Sequence, residues 1–249
     1  MHDTGAKLIE IFPSIQGEGM QVGLMQLFVR FAGCNLLCRN CDTRRSWDAG
    51  PGFTLWPWPG RRTQQIANPV SAEVLYDTLT SEYPMGDFHS ISLTGGEPLM
   101  QAEFIEGFAR LCRRDGLKIF LETNGSLAAQ AAGIAEFVDF WSVDLKLSKN
   151  WGLNGRLAEK HRRFLKAVPP ERSYLKLVID AIDDPDEIVR QLEKIDTHRY
   201  VAVVQPFSAS ASSIGDWDSR LILEWLQMLR PHFREVRWIP QVHKLLRIP

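Results

Sequence analysis

From Leu8 to Ile239, apolar segments of strand character alternate with segments of helical periodicity, and short turns separate them. Such alternation is what βα units produce, and it directs the chain toward a parallel sheet covered by helices. The predicted strands are Lys7 to Phe12, Met25 to Phe31, Phe88 to Leu93, Lys118 to Glu122, Val138 to Val143, Tyr174 to Ile179, Tyr200 to Val204 and Glu235 to Trp238. Several are apolar without a break, the pattern of strands buried on both faces. Between them, Phe104, Ile105, Phe108, Leu111 and Cys112 repeat every 3.6 residues, which puts Cys112 on a core-facing stripe. Asp184 and Pro185, followed by Ile188, Val189, Leu192 and Ile195, predict a capped helix with proline in its first turn. Leu221 to Leu229 predicts another. A single α/β domain over residues 1–249 suits a chain of 249 residues that is 45% hydrophobic.

Residues 44–68 break the rhythm, with Trp47, Trp56 and Trp58 set among Gly50, Pro51, Gly52, Pro57, Pro59 and Gly60. This insertion is predicted to be a loop packed on the body through its tryptophans, the alternative being a docking surface for a partner or second subunit. Lys and Arg total 29 against 30 for Asp and Glu, a formal charge of -1. No basic field therefore argues for nucleic acid or an anionic membrane, and a small-molecule partner is expected. No apolar run has membrane-spanning length, and Met1-His2-Asp3-Thr4-Gly5 lacks the pattern of a secretory leader, so a cytoplasmic location is expected.

Three of the four cysteines fall within the eight residues Cys34-Asn35-Leu36-Leu37-Cys38-Arg39-Asn40-Cys41. Clustered thiols in a reducing compartment are metal ligands rather than a disulfide framework. Structural zinc and ordinary iron-sulfur clusters take four ligands, so three at CxxxCxxC spacing leave one position for a substrate or cofactor. A non-catalytic scaffold holding zinc with a fourth group from elsewhere is the competing reading. Thr94-Gly95-Gly96-Glu97-Pro98 follows a predicted strand, where parallel sheets bind ligands. Its glycines allow close approach to the main chain, and Glu97 is placed to accept hydrogen bonds from a ligand ammonium group.

In this order, the cysteine motif and Gly95-Gly96-Glu97 resemble the radical S-adenosylmethionine superfamily. The resemblance implies an incomplete (β/α)6-type barrel and a 4Fe-4S cluster on Cys34, Cys38 and Cys41. It further implies that the open iron chelates S-adenosylmethionine, whose reductive cleavage releases a 5′-deoxyadenosyl radical. Ser14-Ile15-Gln16-Gly17-Glu18-Gly19, Cys41-Asp42-Thr43, Glu122-Thr123-Asn124-Gly125, Gln205-Pro206 and Gln241-Val242-His243-Lys244-Leu245-Leu246-Arg247-Ile248-Pro249 narrow it: the chain resembles the 7-carboxy-7-deazaguanine synthase family outside residues 44–68.

That resemblance implies conversion of 6-carboxytetrahydropterin to 7-carboxy-7-deazaguanine with loss of ammonia, on the route to queuosine and other deazapurines. It begins with hydrogen abstraction from C6. Cys34, Cys38, Cys41 and Arg30 are the expected catalytic set. Arg30 suits a carboxylate because its guanidinium offers two parallel donors. Substrate contacts are expected from Ile15, Gln16, Gly17, Glu18, Arg30, Thr94, His243 and Pro249, with residues 239–249 closing the site. The resemblance assigns Mg²⁺ to Thr43; a threonine after Cys-Asp is otherwise a turn stabiliser. S-adenosylmethionine contacts are expected from Asn40, Cys41, Asp42, Gly96, Glu97, Asp144, Leu145, Lys146, Gln205, Pro206, Phe207 and Ser208, although Asp144-Leu145 stands where the family pattern has Ser-Pro. A flavodoxin or ferredoxin electron donor and a homodimer are implied as well. The rival enzymatic reading is a glycyl-radical activase, which shares the cysteine motif and barrel; Gln16, Arg30, His243 and the apolar tail speak against it. His2, His89, His161, His198 and His232 are read as surface or helix residues.

Overall fold

The computed structural model describes residues 5–147, 152, 157–207 and 217–248. Its strands are β1 (Leu8–Ile15), β2 (Met25–Phe31), β3 (Gly52–Leu55), β4 (Gln64–Ala67), β5 (Ser90–Gly95), β6 (Ile119–Thr123), β7 (Phe140–Asp144), β8 (Ser173–Ile179), β9 (Val201–Pro206) and β10 (Glu235–Trp238). They form one sheet in the order β10-β9-β8-β7-β6-β5-β2-β1-β3-β4. From β2 through β10 every pairing is parallel, while β1 is antiparallel to β2. β8 and β9 are buried at every position, which explains why their sequences do not alternate.

Helices α1 (Ala72–Glu82), α2 (Ala102–Arg114), α3 (Ala128–Ile134), α4 (Leu157–Phe164), α5 (Pro185–Leu192) and α6 (Ser219–Leu229) follow β2, β5, β6, β7, β8 and β9 in the crossovers. These six βα steps build the expected incomplete barrel, with β10 and β4 as its open edges. Helix starts follow local chemistry: Ser71, Asp184 and Asp218 accept from the main-chain N–H groups of Val74, Asp186 and Leu221. The α2 stripe buries Phe104, Ile105, Phe108 and Cys112 as its periodicity predicts. Each large apolar side chain there contributes about 1.5–3 kcal/mol. Under the sheet, Trp141 meets the edge of Phe164 at a centroid distance of 6.0 Å.

Residues 44–68 differ from the expected loop. After a short 3-10 turn at Arg44–Ser46, they add β3 parallel to β1 and β4 antiparallel to β3, which extends the main sheet. Phe53 and Leu55 alternate inward along β3, but a strand of four residues between Gly and Pro carries too little pattern to be read. The tryptophans do anchor the segment: Trp58 packs edge-on against Phe88, and Trp56 Nε1 donates to Glu10 Oε2 at 2.9 Å. Helix α7 (Val242–Leu246) ends the described chain and lies back against the β1–β2 turn, with Val242 N donating to Gly17 O at 2.9 Å. No helix among the described residues is long and apolar enough to cross a membrane.

Candidate active site

One cavity opens at the C-terminal ends of the parallel strands, and the cysteine loop after β2 forms one of its walls. Cys34, Cys38 and Cys41 are free thiols that all line it. Leu36, Val178, Leu157 and Phe207 pack around them as a small apolar cluster. Burial pushes the Cys38 thiol up to about 11 and the Cys34 thiol in the same direction. Thiols in such a setting become thiolates when a metal cation supplies the compensating charge. No three acidic, His or Cys side chains among the described residues converge on a single metal ion. A polynuclear iron-sulfur cluster needs no such convergence, since each cysteine binds a different iron, so the free, apolar-flanked trio fits it.

The loop is held at both ends. Gly33 N donates to Ser46 O at 2.7 Å and Glu97 N donates to Gly33 O at 2.8 Å. A Cβ on Gly96 would lie 2.0 Å from Gly33 O, so the turn after β5 packs on the cysteine loop only because that residue is glycine. Asn35 ties the other side, donating to Ser126 Oγ at 2.8 Å and accepting from Asn124 Nδ2 at 2.9 Å.

Glu97 departs from the expected ligand contact. It is 0% exposed and absent from the cavity lining. Its carboxylate accepts from Leu99 N, Thr123 Oγ1 and Asn124 N, fastening the β5 turn to the end of β6. Burial pushes this carboxyl up to about 7 against those three donors. Leu145 also turns away, 1% exposed in the core, and the side chain of Pro206 falls on the strand face opposite Gln205. Ser208 and Pro249 lie outside the described residues.

The other predicted residues share the cavity. Asn40, Asp42 and Thr43 extend the wall past the third cysteine, with Thr43 Oγ1 at 3.8 Å from Cys41 Sγ. Gly96, Asp144, Lys146, Gln205 and Phe207 line its floor at successive strand ends. Among the described residues, neither the nitrogen nor the oxygen of the Gln205 amide has a partner, although the residue is 0% exposed; Asp144 Oδ1 is likewise buried and without a partner among them. Unsatisfied buried polar atoms of this kind are costly unless a ligand completes them.

Ile15, Gln16, Gly17, Glu18, Arg30, Thr94 and His243 form the opposite side. Glu10 takes the Nε edge of Arg30 at 2.8 Å, and the guanidinium lies over Phe12 at 5.2 Å, itself stacked on Phe28. Among the described residues the terminal amino groups of Arg30 have no hydrogen-bond partner, and they are open to a ligand. Gln16 Nε2 donates to Gln26 Oε1 and Glu122 Oε1, both at 3.0 Å, and Thr94 Oγ1 donates to Glu122 Oε2 at 3.0 Å. Glu18 Oε2 lies 2.5 Å from Lys176 Nζ, while its Oε1 accepts from Gln241 Nε2 at 2.8 Å. Burial opposes ionisation of Glu18, but Lys176, His243 and Gln241 outweigh it and hold the carboxyl well below the ordinary range.

Glu122, Lys176, Glu10 and Gln241 were missed as site residues by sequence reasoning. The signal was a lone charge inside an apolar strand: Glu10 in β1, Glu122 in β6 and Lys176 in β8. His161, read as a surface or helix residue, lies on α4 but is 0% exposed. Its Nδ1 sits 3.1 Å from Gly125 O, and its Nε2 accepts from Lys146 N at 3.3 Å, which defines an Nδ1-protonated neutral ring. Burial lowers its pKa to about 4.

Residues 28–150 match the model of the Radical SAM superfamily. The 7-carboxy-7-deazaguanine synthase of Geobacter sulfurreducens is 35% identical over 99% of this chain and 99% of its own length. That of Archaeoglobus fulgidus is 35% identical over 97% of this chain and 98% of its own. The crystal structure of QueE from Escherichia coli superposes with a TM-score of 0.58 over 96% of this chain and 95% of that one, at 18% identity, and supports the fold. Full-length similarity to these curated enzymes, together with three cysteines at the strand-end cavity, leads to one conclusion: the chain belongs to the 7-carboxy-7-deazaguanine synthase family of radical S-adenosylmethionine enzymes.

Proposed function

We propose that this chain is a lyase that converts 6-carboxytetrahydropterin to 7-carboxy-7-deazaguanine with release of ammonia. The observation that carries the reading is that the cysteine trio and the set Gln16, Arg30, Thr94 and Glu122 face one cavity. Cys34, Cys38 and Cys41 would hold the 4Fe-4S cluster, which when bound would supply the one-electron reduction of S-adenosylmethionine. Everything else falls to side chains that bind, orient and exclude water.

In this reading, Arg30 presents its two terminal amino groups to the pterin carboxylate while Glu10 fixes the rest of the guanidinium. Gln16, Glu18 and Glu122 offer acceptors to the amino and ring N–H groups of the pterin edge. Burial pushes the Glu122 carboxyl above the ordinary range despite Lys176 nearby, which suits a group that takes up or returns a proton as the ring contracts. Gln205 and Asp144, with unpartnered buried atoms, take the polar groups of S-adenosylmethionine. The tail residues Gln241 and His243 close the cavity over Glu18.

Thr43 is proposed as the protein ligand to a Mg²⁺ that otherwise keeps waters and substrate oxygens. A single catalytic domain, a homodimer, a reducing cytoplasmic setting and a flavodoxin- or ferredoxin-type donor complete the proposal. The test is anaerobic reconstitution to about four irons and four sulfides per chain, then incubation with reductant, S-adenosylmethionine and 6-carboxytetrahydropterin. Formation of 7-carboxy-7-deazaguanine with matching ammonia supports the assignment; cleavage of S-adenosylmethionine without it rejects the substrate.

A further inference from the structure

We propose that Lys176 is a positioning residue that ties the substrate half of the cavity to the cofactor half through one ammonium shared by Glu18 and Asp144. The proposal rests on the division of the cavity given above. Lys176 is the only charged residue in β8, a strand buried along its full length. Its Nζ lies 2.5 Å from Glu18 Oε2 and 3.6 Å from Asp144 Oδ2. The second contact follows from register, since Asp144 on β7 is the lateral partner of Lys176 on β8. Asp144 Oδ2 is held again by Lys146 Nζ at 2.7 Å.

A purely structural ion pair would consume its carboxylates within the protein. Here two ammonium groups meet Asp144 Oδ2, while Oδ1 is buried without a partner among the described residues, in a residue that lines the cavity. On the other side, Glu18 Oε1 receives Gln241 Nε2 and stands 3.8 Å from His243 Nδ1, so the ammonium is linked through Glu18 to the closing tail. Lys176 therefore sits where a tail contact and a cofactor acceptor meet. Burial disfavours the ammonium, but Glu18, Asp144 and Glu122 outweigh that and hold it protonated well above the ordinary lysine range. The groups that bear on its charge are Glu18 from the turn after β1, Glu122 from β6, Asp144 from β7 and Tyr174 from β8 itself. Lys146 reaches it through Asp144, and His243 through Glu18.

The experiment is Lys176→Met in the anaerobically reconstituted holoenzyme. S-adenosylmethionine and 6-carboxytetrahydropterin are titrated separately by calorimetry without reductant, and iron content and thermal melting are followed in parallel. Both affinities are expected to fall, about tenfold or more for the pterin, where a charged hydrogen bond to Glu18 is lost, and severalfold for S-adenosylmethionine, where the ion pair with Asp144 is lost, with iron content unchanged. The variant should also lose substrate affinity at a higher pH than the wild type as pH falls, since Glu18 without its ammonium takes up a proton more readily. Loss for one ligand alone, or parental affinities for both, overturns the proposal.

The neutral pair Glu18→Gln/Lys176→Met keeps the test alive where the single variant does not fold. It should bind pterin no worse than Glu18→Gln alone, yet still bind S-adenosylmethionine weakly through the unsupported Asp144. Additive losses for pterin sink the idea. A wild type that binds S-adenosylmethionine but not the pterin refutes the assigned substrate, and the coupling falls with it; a wild type that binds both, beside an unaffected variant, refutes Lys176 alone.

Discussion

Gly17→Ala probes how the tail is fastened. An added Cβ would lie 2.4 Å from His243 Cβ and 2.7 Å from His243 N, so the first turn of α7 must move. Moving it breaks the hydrogen bond from Val242 N to Gly17 O and displaces Gln241 from Glu18. The first bond contributes about 1 kcal/mol and the second, to a carboxylate, about 1.5–3 kcal/mol. Helix α7 buries no residue of its own, so these two bonds carry much of its attachment, beside the Lys244 ammonium over the Phe207 ring. If the tail closes over substrate, losing both bonds should raise the KM for 6-carboxytetrahydropterin by between roughly seventyfold and several hundredfold, while the melting temperature shifts by less than about 2 °C because the loss is confined to the tail. Tryptic cleavage after Lys244 and Arg247 should accelerate in step. Parental KM with fast tail cleavage would show that the tail plays no part in binding, and parental values of both would refute the packing argument.

Arg30→Ala should lower turnover about a hundredfold or more, the cost of a lost charged bidentate contact, with iron content intact; unaffected kinetics would remove Arg30 from the site. Replacing Cys34, Cys38 or Cys41 singly by Ala should abolish the 4Fe-4S content on reconstitution. Cys112→Ala should keep it and cost only about 1–2 kcal/mol of stability measured in urea, because that thiol is buried in the core. His161 has a folded pKa near 4, below its ordinary 6.5, so protonation favours the unfolded chain. Its contribution is present above pH 6.5 and lost toward pH 4: relative to His161→Gln, the wild type should lose up to about 3 kcal/mol across that window. A pH-independent difference between the two would contradict the buried neutral ring.

The central parallel strands were readable because burial on both faces leaves apolar runs, as in β8 and β9, whereas β10 is a short edge strand that alternates exposed and half-buried residues. The cysteine loop and the glycine turn carry their chemistry in a few contiguous residues. What stayed hidden depends on register or on partners far apart in sequence. β3 gains its place only by pairing with β1, and β4 only by pairing with β3. Lys176 meets Glu18 across 158 residues, and Gln241 meets it across 223. Glu97 resembled a ligand contact by its position, yet Leu99 nearby and Thr123 and Asn124 at the end of β6 turn it inward. His161, read as a surface or helix residue, does lie on a helix, but only the packed α4 shows that its ring is buried and spans two loops of the cavity.

The hairpin of β3 and β4 is not mere ornament at the rim of the sheet. Trp56, just past β3, reaches Glu10 Oε2, and Glu10 Oε1 braces Arg30. Through that two-bond brace, shortening the hairpin past Trp56 would unsteady a guanidinium on the far side of β1, and a protein grasping the hairpin would hold a lever on substrate recognition.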